Sequence, residues 1–132
     1  MQMTRINPPG VLHHPGFTRI ITVEGPMRLA WMAGQTPQTD DLGCVAPGDF
    51  KAQYEFVMDK LQIQLEAIGA NWDNVVFRKL YLTDVDAFRA YSRGPDYRKY
   101  FTQMPCSTAI GVTRLSHPDF LVEVELLVAL PD

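Results

Sequence analysis

The chain has few of the residues that form covalent cross-links and metal sites. Among 132 residues there are two cysteines and three histidines. Cys44 and Cys106 lie far apart and form no CxxC motif, which argues against a disulfide framework and against a zinc site. His13 and His14 are adjacent, so their side chains diverge in an extended chain. We therefore expect no metal and no cofactor, and a reduced, cytoplasmic protein is the simplest interpretation.

Long apolar runs and an excess of positive charge are also missing. No segment approaches the about 20 apolar residues that a membrane helix needs. The first twelve residues lack a basic stretch followed by an apolar one, so we expect no signal peptide. The net charge is −3 and no Lys/Arg block occurs, which leaves room only for a local basic patch. We expect no membrane segment and no nucleic-acid partner.

The remaining composition is that of a single globular domain over residues 1–132. Hydrophobic residues make up 46% of the chain and charged residues 20%, which suffices for a core. Residues 1–16 contain three prolines and two glycines. Both residue types interrupt regular structure, and an irregular N-terminal arm over 1–16 is predicted.

The first half of the chain predicts a hairpin, a loop and a helix. Residues 17–23 are rich in β-branched residues, and Leu29, Trp31 and Ala33 share a face of residues 28–33. A Glu-Gly-Pro turn lies between the two segments, which is typical of paired strands. Residues 34–48 form a long loop of the kind that often carries function. Asp49 is suited to cap a helix whose apolar residues recur at three-four spacing until Gly69.

The second half predicts a strand, two helical pieces and two strands. Residues 75–82 indicate a central strand, and Thr83 or Asp84 is suited to cap a second helix that ends before Gly94-Pro95. A further helical piece is expected over 96–102. Residues 105–115 and 120–130 indicate two strands joined by a short turn. The order β-β-α-β-α-β-β predicts an α+β fold with one mixed sheet and both helices on one face. The uncovered face predicts a homo-oligomer.

The last two strands contain the chain's best candidate for a chemical site. Apolar side chains alternate along residues 122–130, which places Glu123 and Glu125 on the opposite face. The preceding strand presents small residues at Ser107, Ala109 and Gly111, which leave room for a ligand. A carboxylate beside a strand of small residues suggests a pocket or a subunit contact.

Four features together resemble a known family. They are Gly34-Gln35 after a strand, the helix end Glu66-Ala67-Ile68-Gly69-Ala70, the segment over 74–88 with Leu82-Thr83-Asp84-Val85-Asp86, and Val122-Glu123-Val124-Glu125. They resemble the Rid/YjgF family, also called UK114 or L-PSP. The resemblance covers about residues 17–130. It implies a chorismate-mutase-like α+β unit that assembles as a homotrimer and binds small molecules in clefts between subunits.

The resemblance also implies a set of site residues. Characterised members hydrolyse 2-imino or enamine acids to 2-keto acids and ammonia. Glu123 matches the glutamate that positions or activates water, and Gly34 matches a glycine whose neighbourhood holds the imine. Phe17 replaces a pocket tyrosine, and Ser92 stands where members often have asparagine. Ser107 aligns with the arginine of the motif Pro-Ala-Arg-Ser, and Thr108 and Ala109 follow it. Glu123 is the predicted catalytic residue, and the predicted substrate-binding residues are Phe17, Gly34, Ser92, Ser107, Thr108 and Ala109.

The serine at position 107 changes the expected substrate. Arginine holds a carboxylate through charge-assisted hydrogen bonds worth about 1.5–3 kcal/mol, against about 1 kcal/mol for a neutral donor. The usual 2-iminopropanoate deaminase activity is therefore not expected unless another cation fills the role. Arg78 and Arg114 are the candidates, and the alternative for each is a surface or intersubunit ion pair.

Three functions stay open from the sequence. The first is a deaminase or hydrolase of an enamine, imine or related reactive metabolite other than the usual 2-imino acids. The second is a trimer that binds a metabolite or a protein without turnover, with Glu123 serving as an interface carboxylate. The third is a ribonuclease, against which the acidic charge balance argues. Ser107 has no His/Asp partner in sequence for nucleophilic catalysis, and Cys106 is either a reactive thiol or an inert buried one.

Overall fold

The computed structural model describes all residues 1–132 and has an α+β fold. It contains six strands, two α-helices and a 3₁₀ turn at Trp72–Asn74. The strands are β1 (Gln2–Ile6), β2 (Ile20–Glu24), β3 (Met27–Gln35), β4 (Val75–Leu82), β5 (Cys106–Gly111) and β6 (Val122–Pro131); the helices are α1 (Phe50–Ala67) and α2 (Val85–Ser92).

Four strands form one mixed sheet in the order β3-β6-β4-β5. β4 is parallel to β5 and antiparallel to β6, and β3 is antiparallel to β6. α1 packs on β3 and β6 and against α2, so both helices lie on one face, as predicted. β1 and β2 form a separate antiparallel pair.

Strand neighbours differ from the sequence prediction in three places. Residues 2–6 are a strand and not part of an irregular arm, since the first proline comes only at position 8. β2 pairs with β1 and β3 with β6, so the expected β2–β3 hairpin does not form. β5 and β6 are not adjacent either, because the β4–α2–β5 connection places β5 beside one edge of β4 and β6 takes the other. The alternation of apolar and polar residues indicates which face of a strand is buried, but it does not indicate which strands are neighbours in the sheet. This explains these differences.

The helix α1 contributes its apolar face to the hydrophobic core. The Asp49 carboxylate accepts a hydrogen bond from the backbone N–H of Ala52 at 3.1 Å, and Gly69 has a φ of 75° just beyond the helix. The apolar stripe of α1 is completely buried and consists of Tyr54, Val57, Met58, Leu61 and Leu65. The facing side chains of β6, at Val122, Val124, Leu126, Val128 and Leu130, are buried too.

The region around α2 also differs in part from the prediction. Asp84, and not Thr83, caps α2 through the backbone N–H of Ala87. The expected helical piece over 96–102 consists mostly of turns, in which Tyr97 and Phe101 are buried. Neither helix combines the length and apolar character needed to span a membrane.

The sheet face opposite the helices has no covering element in the chain. We call it the outer face; it carries Leu29, Trp31, Lys79, Tyr81, Glu123, Glu125 and Leu127. Trp31 is 75% exposed and Leu29 49% exposed. Apolar side chains of this size are usually covered by a partner when they cluster.

Candidate functional site

The predicted site residues lie on two sides of the sheet. On β5, Ser107 is the cross-strand partner of Arg78, and Thr108 is the partner of Lys79. Arg78 points into the protein interior and Lys79 is exposed. Since side chains alternate along a strand, Ser107 and Ala109 face the helices and Thr108 lies on the outer face.

Glu123 also lies on the outer face. Its cross-strand partner is Tyr81 on β4, while its neighbours Val122 and Val124 are buried in the core. β4 separates β6 from β5. The expected proximity of Glu123 to the strand of small residues is therefore wrong within one chain: Glu123 and Ser107 are on opposite faces, two strands apart.

A cleft on the helix side brings together four of the predicted residues. Phe17, Ser92, Ser107 and Ala109 line a cavity of about 570 Å³. Its charged lining residues are Arg89, Arg93 and Arg98, and no aspartate or glutamate lines it. We call it the arginine cleft. Thr108, Gly34 and Glu123 do not contribute to it.

Phe17 forms an aromatic wall of this cleft. The ring of His14 stacks on it with 5.0 Å between centroids and an interplanar angle of 8°. The Arg19 guanidinium carbon lies 4.8 Å from the centroid of the Phe17 ring. The backbone N–H of Thr18 donates to the Pro105 carbonyl at 2.9 Å, which ties this wall to the start of β5.

Arg78 lies behind the cleft and is completely buried. Its Nε donates to Ser107 Oγ at 3.1 Å and its Nη1 to the Tyr54 hydroxyl at 3.3 Å. Its Nη2 donates to the Tyr97 hydroxyl. The guanidinium carbon lies 5.3 Å from the Tyr97 ring centroid and 5.4 Å from that of Phe101.

No carboxylate pairs with this buried cation. The ion pairs of the chain are Lys51–Asp96, Lys79–Glu125, Lys99–Glu55 and His117–Asp119. The interpretation of Arg78 as a surface or intersubunit ion pair is therefore wrong. The alternation of side chains along β4 could have indicated that Arg78 is buried, because it places Arg78 on the same face as the buried Leu80 and Leu82. Arg114, the other candidate, is exposed and donates to the Leu115 carbonyl.

On the outer face, Gly34 and Glu123 are in direct contact. The β3–β6 register shifts between Met32 and Gln35. A Cβ placed on Gly34 would lie 2.0 Å from Glu123 Oε2. The missing side chain at Gly34 therefore creates the space that the Glu123 carboxylate occupies.

The Glu123 carboxylate is free of partners and has a raised pKa. It makes no hydrogen bond or ion pair in the chain, whereas Glu125 accepts a hydrogen bond from the Tyr81 hydroxyl and lies 4.0 Å from Lys79 Nζ. Burial raises the pKa of Glu123, and the negative charge of Glu125 raises it further. A carboxylate with a raised pKa accepts a proton more readily than an ordinary glutamate does.

Other reactive groups have less favourable surroundings. Burial raises the pKa of the Cys106 thiol, and it does the same for Cys44, which favours the unreactive thiol. The hydrogen-bond partner of Ser107 is Arg78 and not a histidine. No three His, Cys, Asp or Glu side chains are placed to hold a metal ion together.

Comparisons with known proteins identify the fold and the family. The family model described as endoribonuclease L-PSP matches residues 16–130. A RutC family protein of Pyrococcus abyssi is 33% identical over 98 residues, which are 74% of this chain and 75% of the relative. A RutC family protein of Synechocystis is 28% identical over 117 residues, 87% of this chain and 86% of the relative.

A solved structure agrees with this assignment. The Rid family protein YyfB from Yersinia pestis superposes with a TM-score of 0.80 at 25% identity, over 98% of this chain and 100% of that one. The resemblance inferred from the sequence motifs is thereby confirmed at the level of the family. Because the family model spans most of the chain, and the Pyrococcus relative matches 74% of it, the protein belongs to the L-PSP (Rid) family.

Proposed function

We propose that the protein is a small-molecule hydrolase or deaminase of an imine, an enamine or a related reactive metabolite other than the usual 2-imino acids. The observation that carries this proposal is the free Glu123 carboxylate with its raised pKa, held against Gly34. The grouping of Phe17, Ser92 and Ser107 in one cleft supports a substrate-binding role for that cleft.

A homotrimer would unite the two halves of the site. Glu123 and the arginine cleft are on opposite sides of the sheet in one chain, so a single chain leaves each half incomplete. The exposed Trp31 and Leu29 give the outer face the apolar character of a subunit interface. In the proposed assembly, the outer face of one subunit brings its Glu123 to the arginine cleft of the next.

The proposed chemistry is addition of water to a C=N bond. The Glu123 carboxylate accepts a proton from the attacking water as oxygen bonds to the imine carbon. The protonated Glu123 returns that proton to the imine nitrogen, which gives a carbinolamine. The carboxylate then takes the hydroxyl proton of the carbinolamine and delivers it to the nitrogen as the C–N bond breaks, so that ammonia leaves and a carbonyl product forms. A raised pKa serves both steps, because it brings the group closer to the operating pH.

The first test is hydrolysis of imines without the 2-imino acid carboxylate, generated in situ by an amine oxidase, beside 2-imino acids generated by an amino-acid oxidase, with semicarbazide trapping what remains. We expect wild type to accelerate hydrolysis of some imine or enamine and Glu123→Gln to lose about 10²-fold or more of that rate. The control is Glu125→Gln, which changes the neighbouring carboxylate. Rates equal to the uncatalysed reaction for every imine tested would refute the enzyme.

The trimeric site has its own test. Glu123→Gln removes the carboxylate, and Ala109→Trp fills the cleft from β5. Each variant alone should be inactive. Mixed trimers formed by refolding the two together should regain activity, because some contain one intact cleft facing one intact Glu123. Absence of recovery in verified mixed trimers would contradict a site shared between subunits.

A trimer that binds a ligand without turnover is the second candidate. The serine in place of the family's arginine favours it. Equal behaviour of wild type and Glu123→Gln in every turnover assay, with retained ligand binding, would support this alternative.

The family description includes the word endoribonuclease, and the arginine cleft is a local basic patch. We still propose no nucleic-acid partner, because the net charge is −3. RNA cleavage that persists through purification and disappears in Glu123→Gln would overturn that expectation.

A further inference from the structure

Three arginines that line the arginine cleft have no carboxylate partner in the chain. Arg89 lies in the last turn of α2, Arg93 is the C-cap of that helix, and Arg98 lies in the turns that follow. All three are exposed and line the cleft, and none of them takes part in the ion pairs of the chain. No acidic side chain therefore compensates their positive charge.

The acidic residues of this region pair with lysines instead. Asp96 precedes Arg98 by two positions, yet its carboxylate contacts the Nζ of Lys51 on α1 at 2.9 Å. Glu55 of α1 pairs with Lys99, the residue that follows Arg98. Lysines thus form the ion pairs here, and the arginines are left to the cleft. Arginine is the side chain whose planar guanidinium binds an oxyanion through two parallel hydrogen bonds.

The end of α2 does not account for this concentration of charge. The carbonyl end of a helix carries about half a negative charge, which compensates only a small part of three guanidinium charges. Arg89 and Arg93 are also one helical turn apart, since the backbone N–H of Arg93 donates to the Arg89 carbonyl at 3.3 Å. Like charges at this spacing repel each other and destabilise a helix. A bound anion would relieve this repulsion.

The three arginines and His14 offer hydrogen-bond donors to the cleft and no acceptor. A guanidinium group has donors only. The Nδ1 atom of His14 accepts from the backbone N–H of Gly16 at 2.9 Å, so the neutral ring carries its proton on Nε2. A Cβ on Gly16 would lie 3.0 Å from Nδ1 of His14, so the glycine allows this position of the ring. A ligand that satisfies these four side chains has to supply several acceptors.

We propose that the arginine cleft binds a phosphate monoester group through Arg89, Arg93 and Arg98, and that the substrate is a small phosphorylated molecule. The phosphate supplies the counter-charge that the chain does not provide. This deepens the proposed function, because it rests on the substrate occupying this cleft. The phosphate lies beside the end of α2, which leaves the small side chains of β5 in the cleft to the reactive part of the substrate.

A phosphate monoester matches these donors better than a carboxylate does. A carboxylate has one negative charge and two oxygens, and a single arginine in bidentate contact occupies both oxygens. A phosphate monoester has three terminal oxygens and a charge of about −1.5 to −2 at pH 7. Clusters of arginines recognise phosphorylated groups in many proteins. The net charge of −3 disfavours a long polyanion such as RNA, which favours a small phosphorylated molecule.

The test is binding of phenyl phosphate, a monoester that the proposed reaction cannot consume, measured by calorimetry at constant ionic strength. We expect Arg89→Met and Arg93→Met each to weaken binding about tenfold or more, because each removes charge-assisted hydrogen bonds. Arg93→Lys keeps the charge but loses the planar guanidinium, so its affinity should fall between those of wild type and Arg93→Met. Phenyl sulfate carries a single negative charge and should bind wild type more weakly than phenyl phosphate does.

A matched control separates this role from a general effect of charge. Arg114→Met removes one positive charge from an exposed residue that does not line the cleft, and it should leave binding unchanged. Arg89 and Arg93 are exposed too, so their substitution should leave the fold intact. Arg98 is not used in the test, because it also donates to the Pro15 carbonyl.

Four outcomes would overturn the proposal. They are the absence of phenyl phosphate binding in wild type, equal losses in Arg93→Met and Arg114→Met, and benzoate binding as tight as phenyl phosphate binding. The fourth is a short single-stranded RNA that binds more tightly than phenyl phosphate and loses that binding in Arg93→Met, which would assign the cleft to a phosphodiester. Phenyl phosphate binding without hydrolysis of any imine would refute the proposed function and leave the phosphate site intact. Hydrolysis of imines by a wild type that binds no phenyl phosphate would do the reverse.

Discussion

Replacing Gly34 with alanine tests the contact that holds Glu123 in place. The new Cβ would lie 2.0 Å from Glu123 Oε2 and 2.8 Å from its Cδ, so the carboxylate has to move. The backbone of Gly34 does not require glycine, because its φ is not positive. The change therefore acts on the position of one carboxylate and leaves the strand intact.

The magnitudes separate activity from stability. Alanine is favoured over glycine in a strand by about 0.5–1 kcal/mol. Forcing the Glu123 side chain from its preferred rotamer costs about 0.5–1.5 kcal/mol. The free energy of unfolding should thus change by less than about 1 kcal/mol. A catalytic group displaced by about 1 Å loses roughly 10²-fold in rate.

The assay combines imine hydrolysis with urea denaturation of Gly34→Ala, Glu123→Ala and the double variant. In the Glu123→Ala background the clash is gone, so Gly34→Ala should stabilise by about 0.5–1 kcal/mol. Gly111→Ala is the control, since its Cβ would meet only Val85 at 3.2 Å. Retained activity in Gly34→Ala, or an equal stability effect in both backgrounds, would refute the reasoning.

Three further predictions concern pH, capping and assembly. Because the pKa of Glu123 is raised in the folded protein, this residue binds a proton more readily there than in the unfolded chain. Its contribution to the free energy of unfolding therefore falls as the pH rises from about 4.3, the ordinary pKa of a glutamate, through the pKa in the folded protein. In a series of urea melts at different pH values, Glu123→Gln should remove that fall. The same pKa should place the acid limb of the pH–rate profile above that of an ordinary glutamate. Asp49→Ala removes the N-cap of α1 and should destabilise by about 1 kcal/mol, with Asp40→Ala, outside any helix, as the control in thermal melts. Trp31→Glu places a charge on the outer face and should shift the protein to smaller species in analytical ultracentrifugation, whereas Leu42→Glu, on an exposed loop, should not; an unchanged oligomer in Trp31→Glu would argue against assembly through this face.

Local sequence patterns predicted single elements well. The three-four spacing and Asp49 predicted α1, and residues 75–82 predicted β4 with its observed bounds. These signals are local, since capping and periodicity depend on residues a few positions apart. Four of the residues named from the family motifs, Phe17, Ser92, Ser107 and Ala109, line one cleft, and their role in binding a substrate stays a prediction.

Strand partners and the role of Arg78 were not predictable in the same way. Alternation assigned Glu123 and Ser107 to faces but could not show that β4 separates their strands. Arg78 stood in an apolar strand, yet its contacts with Tyr54, Tyr97 and Ser107 join residues 19 to 29 positions apart. Such contacts depend on tertiary packing, which no local pattern contains.

Arg78 and Ser107 are cross-strand partners on β4 and β5. Neighbouring strands are about 4.8 Å apart, so exchanging the two side chains would move one positive charge by that distance, from an inner strand to the sheet edge. Ser107→Arg alone would instead place two guanidinium groups side by side. The double exchange, Arg78→Ser with Ser107→Arg, keeps composition and net charge and places an arginine at the position where the resemblance to the family implies one. The depth at which the positive charge lies in the sheet thus depends on which of the two neighbouring strands carries the arginine.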